Sequence, residues 1–272
     1  MGEFFEGLAG YAAQMASQVW YLFTHLLAIG VGPKIERLLD RFHRLRGLRL
    51  QPGTPVVLVV VDRPVSELAG HRTYMTSEDV SALSDTQKTL WESGLNDIRI
   101  CVREASRFDK DDPWDHTKNL VLFCRNNPVT DRFMAELRAR KTFDWKFVTS
   151  ANGQRHLEGA GGIWKSPSYQ QEEDLLAMGR PVWEGLREDY ALLARVENPL
   201  ARVENPDNTS AAVYIMAGIR GLGTQGAAAF FRARLRYIHK RTKGKEFAWV
   251  LRVPGEKGRI HVDRIVVVHY GD

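Results

Sequence analysis

Catalytic signatures are what this sequence of 272 residues most lacks. It has no G-x-S-x-G elbow, no H-E-x-x-H, no CxxC or HxxxH spacing, and no Gly-Lys-Ser/Thr after a glycine loop. Those absences exclude a serine-hydrolase elbow, a zincin or zinc-ribbon site and a P-loop. Cysteine is scarce: Cys101 and Cys124 each close a predicted strand, which excludes a disulfide framework and suits small core hydrophobes in a reducing compartment. Long Lys/Arg runs and aromatic stacking motifs are missing as well. A net charge of +5 is only mildly basic and argues against nucleic acid as partner.

Charge itself is missing over residues 7–33, "GLAGYAAQMASQVWYLFTHLLAIGVGP". That length can cross a hydrocarbon core as a helix. Gln14, Ser17, Gln18, Tyr21, Thr24 and His25 recur at helical spacing and form one polar stripe. Two readings follow: a membrane helix whose stripe faces other copies or water, or a soluble amphipathic helix packed on the domain. The acidic start (Glu3, Glu6) and the want of a small-residue cleavage site do not fit a signal peptide. Beyond Pro33, "KIERLLDRFHRLRGLRL" carries six Lys/Arg against two acids. Positive charge on that side predicts a cytoplasmic C-terminal bulk at the inner membrane, the alternative being a wholly cytoplasmic protein. Arg37, Arg41, Arg44 and Arg46 then belong to a juxtamembrane or linker helix attractive to anionic headgroups.

"QPGT" at 51–54 punctuates the basic helix and marks the expected boundary between an N-terminal helical segment, 1–50, and an α/β domain, 51–272. "PVVLVVV" is a β-branched run suited to a strand buried on both faces. A capped helical pattern over 76–94, strands "IRICV" and "NLVLFC", and a helix opened by Asn126 or Asn127 with Pro128 at its first position follow in turn. This alternation predicts βαβ units, a mostly parallel sheet and helices on both faces. Residues 142–197 are less regular and end in a strand over 189–196. A strand near 213–218, a helix over 225–240 and an antiparallel pair around "GEKG" complete the pattern. The duplicated "ARVENP" at 194–199 and 201–206 reads as a local duplication in a surface loop.

Ligands of such sheets collect beyond the strand carboxyl ends. "GIRGLGT" leaves an apolar strand through Gly218, Gly221 and Gly223, then enters an alanine-rich helix. Bare N–H groups at a helix start can hold an anion, and the same glycines can equally serve a tight turn. With "RNNPVT", the candidate ligand set is Asn126, Asn127, Thr130, Gly218, Arg220, Gly221, Gly223 and Thr224, with Arg220 supplying charge. Glu78 and Asp79 are the candidate carboxylates for N-glycoside chemistry; acids in a helix's first turn also complement its dipole.

"NLVLFCRNNPVT", "DYALLARVENP" and "AGIRGLGTQGAAAF" together resemble Rossmann-like domains of bacterial conflict and signalling systems, of the nucleotide-sensing SLOG type. The resemblance implies a Rossmann-like α/β fold whose glycine loops hold a nucleotide or a nucleotide-derived second messenger. The leading expectation is therefore a membrane-tethered or oligomer-forming sensor or effector. One alternative is a nucleotide or NAD-like N-glycoside hydrolase or transferase. The other is a structural interaction protein without a ligand.

Overall fold

A computed structural model describes residues 32–50, 54–64, 73–104, 118–123, 128–140, 143–151, 154–159, 161–165, 177–179, 188–199, 211–256 and 259–271. The chain divides into two compact units, Met1–Arg44 and Leu45–Asp272. The described part of the first unit, 32–44, is helical and belongs to α1 (Gly32–Leu48). The division falls before the "QPGT" boundary because the end of α1 belongs to the α/β unit. There Leu48 is fully buried, its carbonyl accepts a 2.7 Å bond from the Tyr214 hydroxyl, and the Arg49 carbonyl accepts from Arg195. Apart from Gly32 and Pro33, the uncharged stretch 7–33 lies outside the described residues. Among the described residues no helix is long and apolar enough to cross a membrane.

The second unit is a mixed α/β fold. Strand β1 (Val56–Pro64) pairs in parallel with β3 (Ile98–Glu104) on one side and β4 (Asn119–Phe123) on the other, and β4 pairs in parallel with β9 (Ala212–Gly218). The next strands are antiparallel. β8 (Glu188–Glu197) lies antiparallel to β9, β10 (Phe247–Glu256) antiparallel to β8, and β12 (Val266–Gly271) antiparallel to β10. This is as expected for the pair around "GEKG" (β10 and β12) but against the parallel expectation for β8. The reason lies in the connections. Parallel neighbours need a crossover, whereas β10 and β12 are joined by a short excursion through β11 (Arg259–Ile260) and a single 3₁₀ turn, Val262–Arg264. The two-residue β2 (Thr73–Tyr74) pairs with the end of β1.

Period-two alternation sorts the sheet residues onto two faces. Val56, Leu58, Val121, Phe123, Tyr214, Met216, Leu193 and Trp249 face α2 (Ser77–Glu92) and α4 (Gly221–Thr242). Val57, Val59, Leu120, Leu122, Ile215, Leu192 and Val250 face α3 (Pro128–Ala139). This second face also receives Trp145 and Leu157, borne by or beside a small antiparallel sheet of β5 (Lys146–Thr149), β6 (Arg155–Gly159) and β7 (Gly162–Lys165). The expectation of helices on both faces holds, with the small sheet sharing the second face. The less regular stretch 142–197 supplies that small sheet. Of the duplicated "ARVENP", the first copy runs out of β8 and the second lies outside the described residues.

Candidate functional site at the carboxyl edge

α2 and α4 both start at the carboxyl edge of the parallel strands and run side by side. Gln225 Nε2 donates to Ser81 Oγ at 3.0 Å, and Arg232 donates to Asp85 at 2.7 Å, so the pair is stitched along two turns. At the start of the pair, a Cβ built on Gly221 would lie 3.0 Å from the Cβ of Glu78 and 3.2 Å from its Cδ. Glu78 therefore stands directly over the first residue of α4. It accepts from Ser77 Oγ at 3.0 Å. Asp79 is placed differently: it is buried, and its N–H is held by the N-cap Thr76 Oγ1 at 3.2 Å. The two candidate carboxylates thus differ in setting: Glu78 stands beside the start of α4, and Asp79 is buried.

The glycine loop is filled from within. Arg220 occupies the N-cap of α4 and its side chain makes no capping bond there, as a guanidinium has no acceptor to offer. Asp189 on β8 supplies the missing acceptor. Its Oδ2 receives the Gly223 N–H at 2.7 Å and the Arg220 N–H at 2.9 Å, while its Oδ1 receives the Tyr190 N–H at 2.9 Å. The carboxylate is fully buried and sits at the positive end of the α4 dipole. The loop closes further through Ile219 N–H to the Tyr190 carbonyl at 2.8 Å and Gly218 N–H to Thr224 Oγ1 at 3.0 Å. Burial, with Glu188 nearby, holds the Tyr190 phenol above its ordinary pKa.

None of Gly218, Gly221 and Gly223 has a positive φ. They are required for space. A Cβ on Gly218 would sit 2.3 Å from the Arg220 carbonyl oxygen, and one on Gly223 would sit 2.6 Å from Asp189 Oδ2 and 2.8 Å from the Tyr190 carbonyl oxygen. The helix ladder leaves the first-turn N–H groups without intrahelical acceptors. Of these, Asp189 takes the Gly223 N–H, together with that of the N-cap Arg220.

The remaining candidates are distributed as follows. Thr224 is buried, with its hydroxyl committed to Gly218. Thr130 is buried on α3, where its hydroxyl reaches the Phe123 carbonyl at 3.5 Å. α3 packs on the opposite face of the sheet from α4. Asn126 and Asn127 lie outside the described residues.

Sequence reasoning missed Asp189. Its signal was an acid opening an otherwise apolar strand, "DYALLARV", where an ionised group requires a partner. It also missed a polar ladder on the small sheet. His156 Nε2 lies 2.7 Å from Glu158 Oε1, Lys146 Nζ lies 2.7 Å from Glu158 Oε2, and Ser150 Oγ lies 3.4 Å from His156 Nδ1. Lys146 first, then His156, hold the Glu158 carboxyl below its ordinary pKa.

Fold and site together define a class, a mixed α/β domain whose sheet has a parallel part, β3-β1-β4-β9, with paired helix starts at its carboxyl edge. No family model, curated protein or solved structure matches the chain.

Proposed function

We propose that the chain is the ligand-binding part of a sensor or effector tethered at a membrane by its N-terminal segment. A nucleotide-like molecule would sit at the strand carboxyl ends, between the starts of α2 and α4. The observation that carries this reading is the pairing of those two helix starts, with Glu78 standing over the bare backbone of Gly221. Carboxylates accept from ribose hydroxyls, and first-turn N–H groups accept phosphate as a partner. Since Asp189 already holds the Arg220 and Gly223 N–H groups, phosphate contact falls to Gly221, Leu222 and the positive charge of Arg220. Self-association of the N-terminal segment would turn ligand binding into an output, provided that the ligand binds the two arrangements with different affinity.

The test is a thermal-shift and calorimetric survey of the full chain with nucleoside mono-, di- and triphosphates, NAD, cyclic mononucleotides and cyclic dinucleotides. One class should raise the melting temperature, at saturation by the equivalent of about 2–3 kcal/mol. Gly221→Val, which crowds the Glu78 side chain and covers the first-turn N–H groups, should abolish that rise. No shift with any class overturns the reading. The placement of Glu78 also favours a second reading as an N-glycoside hydrolase. Turnover of NAD or a nucleoside in the same samples, lost in Glu78→Gln with folding intact, would select it.

A further inference from the structure

α1 presents an uncovered apolar face. Leu38, Leu39 and Phe42 are 63%, 54% and 59% exposed, and the next position of the stripe, Leu45, is 40% exposed. Positions 38, 42 and 45 recur at helical spacing and position 39 borders them, so these side chains make one continuous strip. Gly47 and Leu48, further along the helix, are buried in the α/β unit, Gly47 beside His239.

Charge is arranged around this strip in a definite order. The two acids, Glu36 and Asp40, fall on the side away from it, and Asp40 is occupied with Arg44 at 3.0 Å in an i,i+4 pair. Arg41 is exposed at the border of the strip. Over 34–50 the sequence carries six Lys/Arg against two acids, so the segment as a whole is basic. An apolar strip, a basic border and acids at the far side make the pattern of a helix lying in the plane of an anionic bilayer surface. Such a surface buries the apolar side chains among acyl chains while phosphate headgroups meet the basic border. A second copy of α1 offers no such charge match, because its own border is basic too.

We infer that α1 is a membrane-surface helix that binds anionic lipid headgroups, inserting Leu38, Leu39 and Phe42 with Arg41 at its border. This rests on the membrane part of the proposed function and not on its ligand. It assigns contact with the bilayer to α1 itself, in addition to whatever 7–33 contributes.

The test is co-sedimentation of the full chain with phosphatidylcholine vesicles, with and without one-third phosphatidylglycerol, at low and high salt. A double variant, Leu38→Glu with Phe42→Glu, and a single variant, Arg41→Glu, are compared with the parent. The inference expects binding to the anionic vesicles that weakens with salt, falls about tenfold or more in the double variant and about fivefold in Arg41→Glu. Melting temperatures should be unchanged, since the substituted side chains are exposed. If the parent does not pellet with anionic vesicles, both the inference and the tether reading are overturned. If the double variant pellets as well as the parent, the inference alone is overturned and the tether stands on 7–33. If light scattering shows an oligomer of the parent, without vesicles, that the double variant loses, and vesicle binding is unchanged, the strip is a contact between copies and the inference is overturned.

Discussion

The Asp189 carboxylate and the Gly223 N–H meet at 2.7 Å across the gap between β8 and the first turn of α4. The same oxygen takes the Arg220 N–H at 2.9 Å. One buried acid thus does for α4 what an Asp or Ser at the N-cap does for most helices, from a strand 31 residues earlier in the chain. Asp189→Ala should leave two buried donors without an acceptor and lower stability by about 3 kcal/mol, with a fall in melting temperature of roughly 6–12 °C. Asp189→Asn keeps an oxygen in place and should cost less. Thermal unfolding of the two variants side by side checks the order, and an unchanged melting temperature in Asp189→Ala would refute the capping role.

Gly221 and Gly223, two residues apart, should respond differently to the same substitution. A methyl group on Gly223 would overlap Asp189 Oδ2 at 2.6 Å and the Tyr190 carbonyl at 2.8 Å, neither of which can retreat without breaking the loop. On Gly221 it would meet the Glu78 side chain at 3.0–3.2 Å, where a small shift suffices. Gly223→Ala should therefore destabilise by about 2–3 kcal/mol, while Gly221→Ala should stay within about 1 kcal/mol of the parent. Urea titrations give both values. Equal effects would mean that the loop is not packed as described.

Much of this unit could be read from residue order. The β-branched run at 55–61 implied a strand buried on both faces, and β1 places Val56–Val60 between the two clusters. Thr76 or Ser77 as cap, of which Thr76 is the one used, and Pro128 at a first helical position gave the starts of α2 and α3. The antiparallel β10–β12 pair was legible from its short connection, but the direction of β8 was not, because β8 and β9 have the same apolar composition that parallel strands have. The content of the glycine loop was hidden for a related reason. Local sequence shows bare N–H groups at 218–224, but the acceptor that fills them lies on a neighbouring strand. Glu78 and Asp79 look equivalent as letters, and one position around a helix separates a buried side chain from one beside Gly221.

Tyr214 links alkaline stability to the seam between α1 and the sheet. Its hydroxyl donates to the Leu48 carbonyl at 2.7 Å, and full burial pushes the phenol far above its ordinary value of 10.0. The neutral form is the one that the fold stabilises. Its contribution is therefore complete below pH 10 and is lost as pH rises above that value, where the unfolded chain ionises and the folded one does not. Tyr214→Phe should cost about 1 kcal/mol near neutrality and flatten this alkaline loss. Denaturation midpoints from neutral pH to about pH 11 should bring the two proteins together; parallel curves would count against the buried neutral phenol.

Glu158 sets the opposite dependence on the small sheet. Lys146, directly across the β5–β6 pair, and His156, two residues along β6, both lie 2.7 Å from its carboxylate oxygens. They favour the ionised form and hold its pKa below the ordinary 4.5, Lys146 more than His156. A depressed folded value means that the stabilisation is present above the unfolded pKa and drains away as pH falls through the lower, folded one. Glu158→Gln cannot lose that charge, so it should be less stable than the parent near neutrality and approach it as the medium is acidified. The readout needs a probe close to the sheet, and Trp145 and Trp164, with ring centroids 5.5 Å apart on the same structure, provide one through their fluorescence. A gap between the two proteins that stays constant from neutral to strongly acid pH would show that the ladder's charge contributes nothing to the fold.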